Sequence, residues 1–106
     1  MSRQKLPPIH PGRILREEFM APLELSQNEL ARALGVDPGR VNQIVTERRS
    51  VSADTALRLA RYFGSTPEFW LNLQKRYDLE CARAALLEEI EATVKPREQP
   101  RASAVG

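Results

Sequence analysis

The 106-residue sequence is poor in the residues that build metal centres and disulfides. It has one cysteine, Cys81, and one histidine, His10, so no intrachain disulfide and no cysteine metal cluster can form. It also lacks a paired nucleophile and base, a glycine-rich phosphate loop and any metal-ligand spacing. We therefore expect no catalytic residues, no metal site and no cofactor.

Long hydrophobic runs are absent as well. No apolar stretch approaches the roughly 20 residues that a membrane-spanning helix needs. The first residues lack the apolar core of a secretory signal. We therefore expect a cytoplasmic protein with no membrane partner.

An excess of charge of one sign is also missing, because 16 basic residues nearly balance 14 acidic ones and the net charge is +2. The distribution is more informative than the total: arginines cluster between residues 32 and 61, whereas glutamates are concentrated between residues 80 and 91. A basic region of this kind is expected where one surface meets phosphate, although an ordinary solvated surface would show it too.

The most informative segment is residues 26–44, SQNELARALGVDPGRVNQI. Its spacing suits two short helices that cross at a steep angle, with the small Ala31 at their closest approach. Gly35 stands where a residue past a helix end takes a positive φ, and Val41 and Ile44 turn inward from the second helix. This pattern predicts a helix-turn-helix, whose second helix enters the major groove of DNA. A helical hairpin of an unrelated all-α protein would share the residues that start and end the helices. It would not be expected to share the full spacing that includes Ala31, Gly35, Val41 and Ile44.

Both motif helices have clear start signals. Ser26 and Glu29 form a capping-box pair at the first helix. Asp37 is the predicted N-cap of the second helix, with Pro38 at its first position. The turn between the helices is therefore Gly35-Val36-Asp37.

Three further helices are predicted around the motif, which makes the fold class all-α with five helices. The first runs from Pro11 to about Met20 and is ended by Pro22. The fourth begins after Ser52, ends at Gly64 and buries the face that carries Ala56, Leu57, Leu59, Ala60 and Phe63. The fifth is capped by Thr66 and is stopped by Pro96, with a break around Tyr77-Asp78 left open. The predicted organisation is a flexible segment over 1–9, a helix-turn-helix domain with a C-terminal dimerisation helix over 10–94, and a disordered tail over 95–106.

Several segments together resemble the HigA family of bacterial antitoxins, within the lambda-repressor-like, XRE-type DNA-binding fold. The most family-specific is Thr66–Gln74, TPEFWLNLQ, and others are His10-Pro11-Gly12 with Ile14–Phe19, Leu25–Gly35 and Ser52–Ala60. The resemblance covers roughly residues 7–83. It implies a homodimer that binds a double-stranded DNA operator, represses its own operon and neutralises a cognate toxin, typically a HigB-like ribonuclease that cleaves mRNA. It also implies that the chain has no catalytic activity of its own.

The candidate DNA-binding residues lie on the second motif helix and around it: Gln27, Pro38, Gly39, Arg40, Asn42, Gln43, Thr46, Arg48 and Arg49. Arg40 has the chemistry to pair with guanine and Gln43 with adenine. Pro38 and Gly39 depart from the long polar residues often present there in related repressors. Arg48 and Arg49 are assigned to phosphate, as is Gln27 by the resemblance and by its place at a helix N-terminus. Each of these side chains also fits an exposed position that touches only solvent or the DNA backbone.

The predicted dimer interface comprises Phe69, Trp70, Leu73, Leu86 and Ile90. The spacing of the first three favours a core or an interface over a platform on which bases stack. Two other functions remain open at this point: a stand-alone helix-turn-helix repressor without a toxin, and an adaptor that uses the fold for protein contacts alone. A toxin gene next to this one would separate antitoxin from plain repressor.

Overall fold

The structure is a computed structural model that describes residues 7–98, which form five helices and no strand. Helix α1 spans residues 11–23, α2 is Gln27–Leu34, α3 is Pro38–Val45, α4 is Ala53–Phe63 and α5 is Pro67–Thr93. The predicted all-α, five-helix class is confirmed. Residues 7–9 and 95–98 are exposed and outside any helix, whereas the rest of the predicted flexible segment and tail, 1–6 and 99–106, lies outside the described residues. None of the helices within 7–98 is long and apolar enough to cross a membrane.

The core is centred on Trp70, which is fully buried among aliphatic side chains from α1 to α5. Its indole nitrogen donates a hydrogen bond to Ser65 Oγ at 3.0 Å, so its one polar atom is paired. Phe19 of α1 packs against the Trp70 ring with centroids 4.9 Å apart, and against Phe63 of α4 at 5.0 Å. These contacts fix α1, α4 and α5 around the two motif helices.

Helix α1 continues past Pro22 to Leu23, so the prediction that Pro22 ends it is wrong. Its middle, Leu15–Met20, is a π-helix, and the Ala21 amide bonds to the Arg16 carbonyl five residues back. Because the turn before the proline is already wide, the missing amide of Pro22 interrupts no regular α-helical ladder. The helix ends instead at Glu24, which has a left-handed φ of 53°.

The predicted ends of the motif helices are confirmed. Ser26 and Glu29 make both bonds of the capping box, and Gly35 ends α2 with a φ of 71°. Asp37 is the N-cap residue of α3, but its side chain makes no capping hydrogen bond. The Ser52 and Thr66 side chains cap α4 and α5, and Gly64 ends α4 with a φ of 76°.

Two further expectations are corrected or resolved in α4 and α5. Leu57 is 60% exposed and does not belong to the buried face of α4, which is made by Thr55, Ala56, Leu59 and Ala60. Helix α5 runs through Tyr77 and Asp78 without a break and ends before Pro96. Its residues from 82 onward are all exposed, so nearly half of the helix projects from the body of the domain.

Candidate nucleic-acid interface

Helix α3 presents one face to the core and the other to solvent. Val41, Ile44 and Val45 are buried, whereas Pro38, Gly39, Gln43 and Thr46 are exposed. Arg40 and Asn42 are half-buried at the two edges of the exposed face. Buried residues three and four positions apart orient the helix, so the predicted base-reading residues share its outer surface.

Asn42 joins the two motif helices and the segment that follows them. Its Nδ2 donates to Gln27 Oε1 at 3.0 Å, and its Oδ1 accepts from Arg48 Nη2 at 3.2 Å. Arg48 Nε also donates to Thr46 Oγ1 at 3.1 Å. Since both ends of the Asn42 amide are occupied, this side chain organises its neighbours and has less capacity left for a base.

Gln43 lies in the middle of the exposed face and is held from one side only. Arg49 Nη1 donates to its Oε1 at 3.0 Å, while its amide nitrogen has no partner among the described residues. A side-chain amide with a free N–H2 group and an oriented oxygen is suited to a base edge in the major groove. Gln43 is therefore the base-reading candidate that the geometry favours most.

Arg40 is turned toward α4. Its Nη1 donates to Asp54 Oδ1 at 3.0 Å and lies 3.4 Å from Thr55 Oγ1. Arg58 Nε donates to the same Asp54 oxygen at 2.6 Å, and the hydrogen bonds from Arg58 and then Arg40 hold the pKa of Asp54 below its usual range. Arg40 must therefore share its guanidinium between Asp54 and any guanine that it contacts.

The C-terminal end of α3 is held by α1, which the sequence analysis did not anticipate. Arg16 Nη1 donates to the Val45 carbonyl, the last residue of α3. A Cβ atom on Gly12 would lie 1.8 Å from the Ile44 carbonyl oxygen, so only glycine permits this approach of α1 to α3. No local pattern marks either residue, because both act on a chain segment about 30 positions away.

The chain leaves α3 through Glu47, which has a left-handed φ of 66° in a position that glycine usually occupies. The Glu47 amide bonds to the Ile44 carbonyl and the Arg48 amide to the Gln43 carbonyl. This tight end returns Arg48 and Arg49 to the exposed side of α3. Both arginines are exposed, as a phosphate contact requires.

His10 is buried beside this end of the domain. Its Nδ1 accepts a hydrogen bond from the Gly12 amide at 2.8 Å and caps α1, and its ring meets the edge of Tyr77 with centroids 4.8 Å apart. Burial lowers the pKa of His10, against a smaller opposing effect of Glu47 and Asp78. His10 therefore caps the start of α1 and packs against α5.

The predicted dimer residues fall into two groups. Trp70 has no exposed surface and belongs to the core, so its assignment to an interface between copies does not fit its burial. Phe69, Leu86 and Ile90 are exposed and Leu73 is half-buried. These four retain apolar surface that a second molecule could cover.

Comparison with known proteins agrees with this architecture. A family model described as helix-turn-helix matches residues 15–71. Virulence-associated protein I of Dichelobacter nodosus is 55% identical over 80 residues, which are 76% of this chain and 74% of that protein. The Pseudomonas aeruginosa antitoxin HigA, solved with the higBA promoter, is 50% identical with a TM-score of 0.82 over 84% of this chain and 97% of that one. Antitoxin GraA in complex with its operator is 47% identical with a TM-score of 0.84 over 93% of this chain and 100% of that one. The chain belongs to the HigA family of antitoxins, within the helix-turn-helix proteins.

Proposed function

We propose that this chain is a DNA-binding antitoxin: a homodimer that binds a palindromic operator, represses its own operon and neutralises a ribonuclease toxin. The observation that carries the DNA-binding part is the outer face of α3, where Gln43 is exposed beside Arg48 and Arg49. Similarity to HigA and GraA structures that contain promoter or operator DNA supports the same assignment.

The hydrogen bonds support a division of roles among the residues of the proposed interface. Gln43 reads a base, Arg48 and Arg49 contact phosphates, and Gln27 with Asn42 holds the start of α2 against α3. Pro38, Gly39 and Thr46 complete the exposed face but offer few polar groups to a base. Arg40 contributes to base contact only if it leaves Asp54 or shares its guanidinium with it.

Substitution of Gln43 tests base reading directly. Gln43→Ala should weaken binding to the operator upstream of this gene by roughly 1–3 kcal/mol and relax the preference at one base position. Fluorescence anisotropy on the operator and on its single-base variants measures both effects. An equal loss on random DNA would show that Gln43 contributes only to general affinity.

The toxin-binding part of the proposal rests on family membership, and the alternative is a stand-alone repressor. Co-expression with the neighbouring gene product separates the two. We expect growth to be rescued from a toxic ribonuclease by this chain and by a variant lacking residues 96–106, because the folded helices would carry the contact. Failure to rescue, or the absence of such a neighbour, would leave the repressor function alone.

No catalytic role is needed for either function, because binding alone blocks a promoter or covers a toxin. A cytoplasmic location would place the chain with its operator and with the mRNA that such a toxin cleaves. The adaptor function is disfavoured because it gives no reason for two exposed arginines beside an exposed Gln43 on the recognition helix.

A further inference from the structure

One acidic side chain of α4 connects α3 to the end of α2. Asp54 Oδ1 accepts a hydrogen bond from Arg40 Nη1 at 3.0 Å and another from Arg58 Nε at 2.6 Å. Arg58 Nη1 also donates to the carbonyl of Leu34, the last residue of α2, at 2.8 Å. The carboxylate of Asp54 is therefore bonded to α3 directly and to α2 through Arg58.

The contact between α3 and α4 uses only one nitrogen of the Arg40 guanidinium. Nη1 donates to Asp54 and lies 3.4 Å from Thr55 Oγ1, whereas Nε and Nη2 have no hydrogen-bond partner within residues 7–98. Nε and Nη2 form one edge of the planar guanidinium, and this edge can donate to O6 and N7 of the same guanine. Asp54 thus binds Arg40 and leaves one complete base-reading edge without a partner.

The position of Arg40 on α3 makes this edge relevant to DNA. Arg40 is the third residue of α3 and lies at one edge of the face that the helix exposes. The two residues before it, Pro38 and Gly39, carry no polar side-chain group. Recognition helices contact bases with their N-terminal residues. Arg40 is therefore the first side chain of α3 with the chemistry to read a base.

The charges around Asp54 do not make this part of the surface acidic. Its single carboxylate is shared by Arg40 and Arg58, so the three side chains together keep one net positive charge. The hydrogen bonds from Arg58 and then Arg40 lower the pKa of Asp54, so the carboxylate stays ionised at neutral pH. Phosphate groups can therefore approach this cluster, and the ion pair to Arg40 persists.

We propose that Asp54 is a specificity-determining residue, which acts by holding Arg40 so that the Nε–Nη2 edge pairs with a guanine of the operator. This inference rests on the DNA binding of the proposed function and adds a residue that need not touch the DNA. An arginine without such a partner can bind any nearby phosphate, which adds affinity without sequence preference. Fixing one nitrogen before binding removes this freedom and favours the base contact.

Substitution of Arg40 and Asp54, alone and together, tests this coupling. Fluorescence anisotropy gives the ratio of the dissociation constants for random DNA and for a duplex of the promoter region of this gene. Arg40→Ala should lower this ratio about tenfold, because one base-specific pair is lost. Asp54→Ala should lower it at least about threefold, but by less than about twofold when Arg40 is already alanine, because the two residues act through one contact.

Asp37→Ala is the matched control for the loss of a negative charge. Asp37 is exposed at the start of α3 and its side chain makes no capping hydrogen bond, so its removal releases no arginine. This variant should change binding to both duplexes alike and leave the ratio as it is. Asp54→Asn keeps an oxygen acceptor for Arg40 and should retain more of the ratio than Asp54→Ala does. Thermal melting of each variant verifies that it is folded at the temperature of the binding assay.

A modified base tests the proposed contact at a single atom. Single-base variants of the promoter locate the guanine whose replacement no longer matters in Arg40→Ala, and 7-deazaguanine at that position removes only the N7 acceptor. The unmodified chain should bind this duplex about fivefold more weakly than the ordinary promoter. Asp54→Ala should bind the two duplexes almost equally.

The outcomes separate this inference from the function on which it rests. An unchanged ratio in Asp54→Ala, independent losses in the double variant, or a promoter in which no guanine depends on Arg40 would each overturn the role of Asp54 and leave operator binding in place. A higher ratio in Asp54→Ala would mean that Asp54 keeps Arg40 away from the bases, and would overturn it too. If the unmodified chain does not distinguish promoter from random DNA, the proposed function itself is contradicted.

Discussion

At the scale of single residues, the polar side chains of the candidate interface are held in position by hydrogen bonds to one another. Asn42 joins Gln27 to Arg48, and Arg49 orients Gln43. Fixing these side chains in the free protein reduces the conformational entropy that binding must remove. The same bonds set which donors and acceptors remain available to a base.

These pairings explain why the site was only partly predictable. The exposed position of Gln43 follows from the buried Val41, Ile44 and Val45, which a helical period identifies. The ion pair between Arg40 and Asp54 cannot be inferred from this period, because it depends on where α4 begins relative to α3. The helical repeat of apolar residues shows on which face of a helix a residue lies. It does not show the direction in which a long side chain points.

The two arginines after α3 lead to a prediction about salt. Arg48→Ala and Arg49→Ala should each weaken binding to operator and random DNA alike and reduce the log–log salt slope by about one unit, since each removes one phosphate contact. Binding titrations at several salt concentrations measure the slope. The exposed Arg61 of α4 is the control, because Arg61→Ala should leave the slope unchanged. A slope that is the same in the double variant would place Arg48 and Arg49 outside the interface.

His10 makes the stability of the domain depend on pH. Burial lowers its pKa below the ordinary value of 6.5, so the unfolded chain binds the proton first as pH falls. The stabilisation that neutral His10 provides is therefore fully present above pH 6.5. As the pH falls from 6.5 to the lower folded-state pKa, the free energy of unfolding decreases by at most about 1.4 kcal/mol per pH unit. Protonation also removes the lone pair that accepts from the Gly12 amide.

Denaturant titrations from pH 7.5 to 5.5 test this dependence against His10→Asn. The asparagine keeps a capping acceptor but does not titrate, so its stability should vary less over this range. If the free energies of unfolding of the two proteins change equally with pH, groups other than His10 cause the pH dependence.

At the scale of elements, helix ends were the most predictable features and helix contacts the least. The Ser26–Glu29 box, Gly35 and Thr66 act through bonds to residues a few positions away, so the local sequence specifies them. The wide turn of α1 and the exposure of Leu57 depend on packing between distant segments. Continuity of α5 through Asp78 follows from the Gln74 amide, which donates to Asp78 Oδ1 at 2.9 Å while its oxygen accepts from the buried Val51 amide.

The contact between α1 and α3 gives a prediction about stability. Gly12→Ala should lower the free energy of unfolding by roughly 3 kcal/mol, because the new methyl group would collide with the Ile44 carbonyl. Urea unfolding followed by circular dichroism measures the change. Gly39→Ala is the control: its methyl group would meet only the Asp37 side chain at 3.0 Å, and alanine favours the helix by up to about 1 kcal/mol. Equal stability of both variants would mean that α1 moves aside without cost.

At the scale of the whole molecule, the projecting part of α5 gives the protein an elongated shape of 55 × 27 × 24 Å. A chain ending after Arg83 would keep Trp70, Gln74 and Tyr77, which pack on the rest of the domain, and would lose the exposed segment. We expect this truncated protein to unfold with a sharp transition but to have the mass of a monomer. Operator binding should weaken, because two half-sites would no longer be bound by linked copies.

Light scattering after size exclusion gives the mass, and anisotropy gives the affinity. The matched control ends after Pro96 and keeps all of α5. A dimeric protein after truncation at Arg83 would locate the interface on another surface.

The uncovered end of α5 also ties the lifetime of the chain to its abundance. Helical turns without tertiary packing open readily, and opened segments are the sites at which proteases cut. In a dimer this segment would be covered by the second copy, whereas in a monomer it would stay accessible to proteases. Because association follows mass action, we expect newly made chains to be degraded fastest when they are scarce. When synthesis is reduced, the concentration of the protein would fall and the fraction of monomers would rise, so degradation would become faster. The concentration would then decrease more steeply than first-order decay allows.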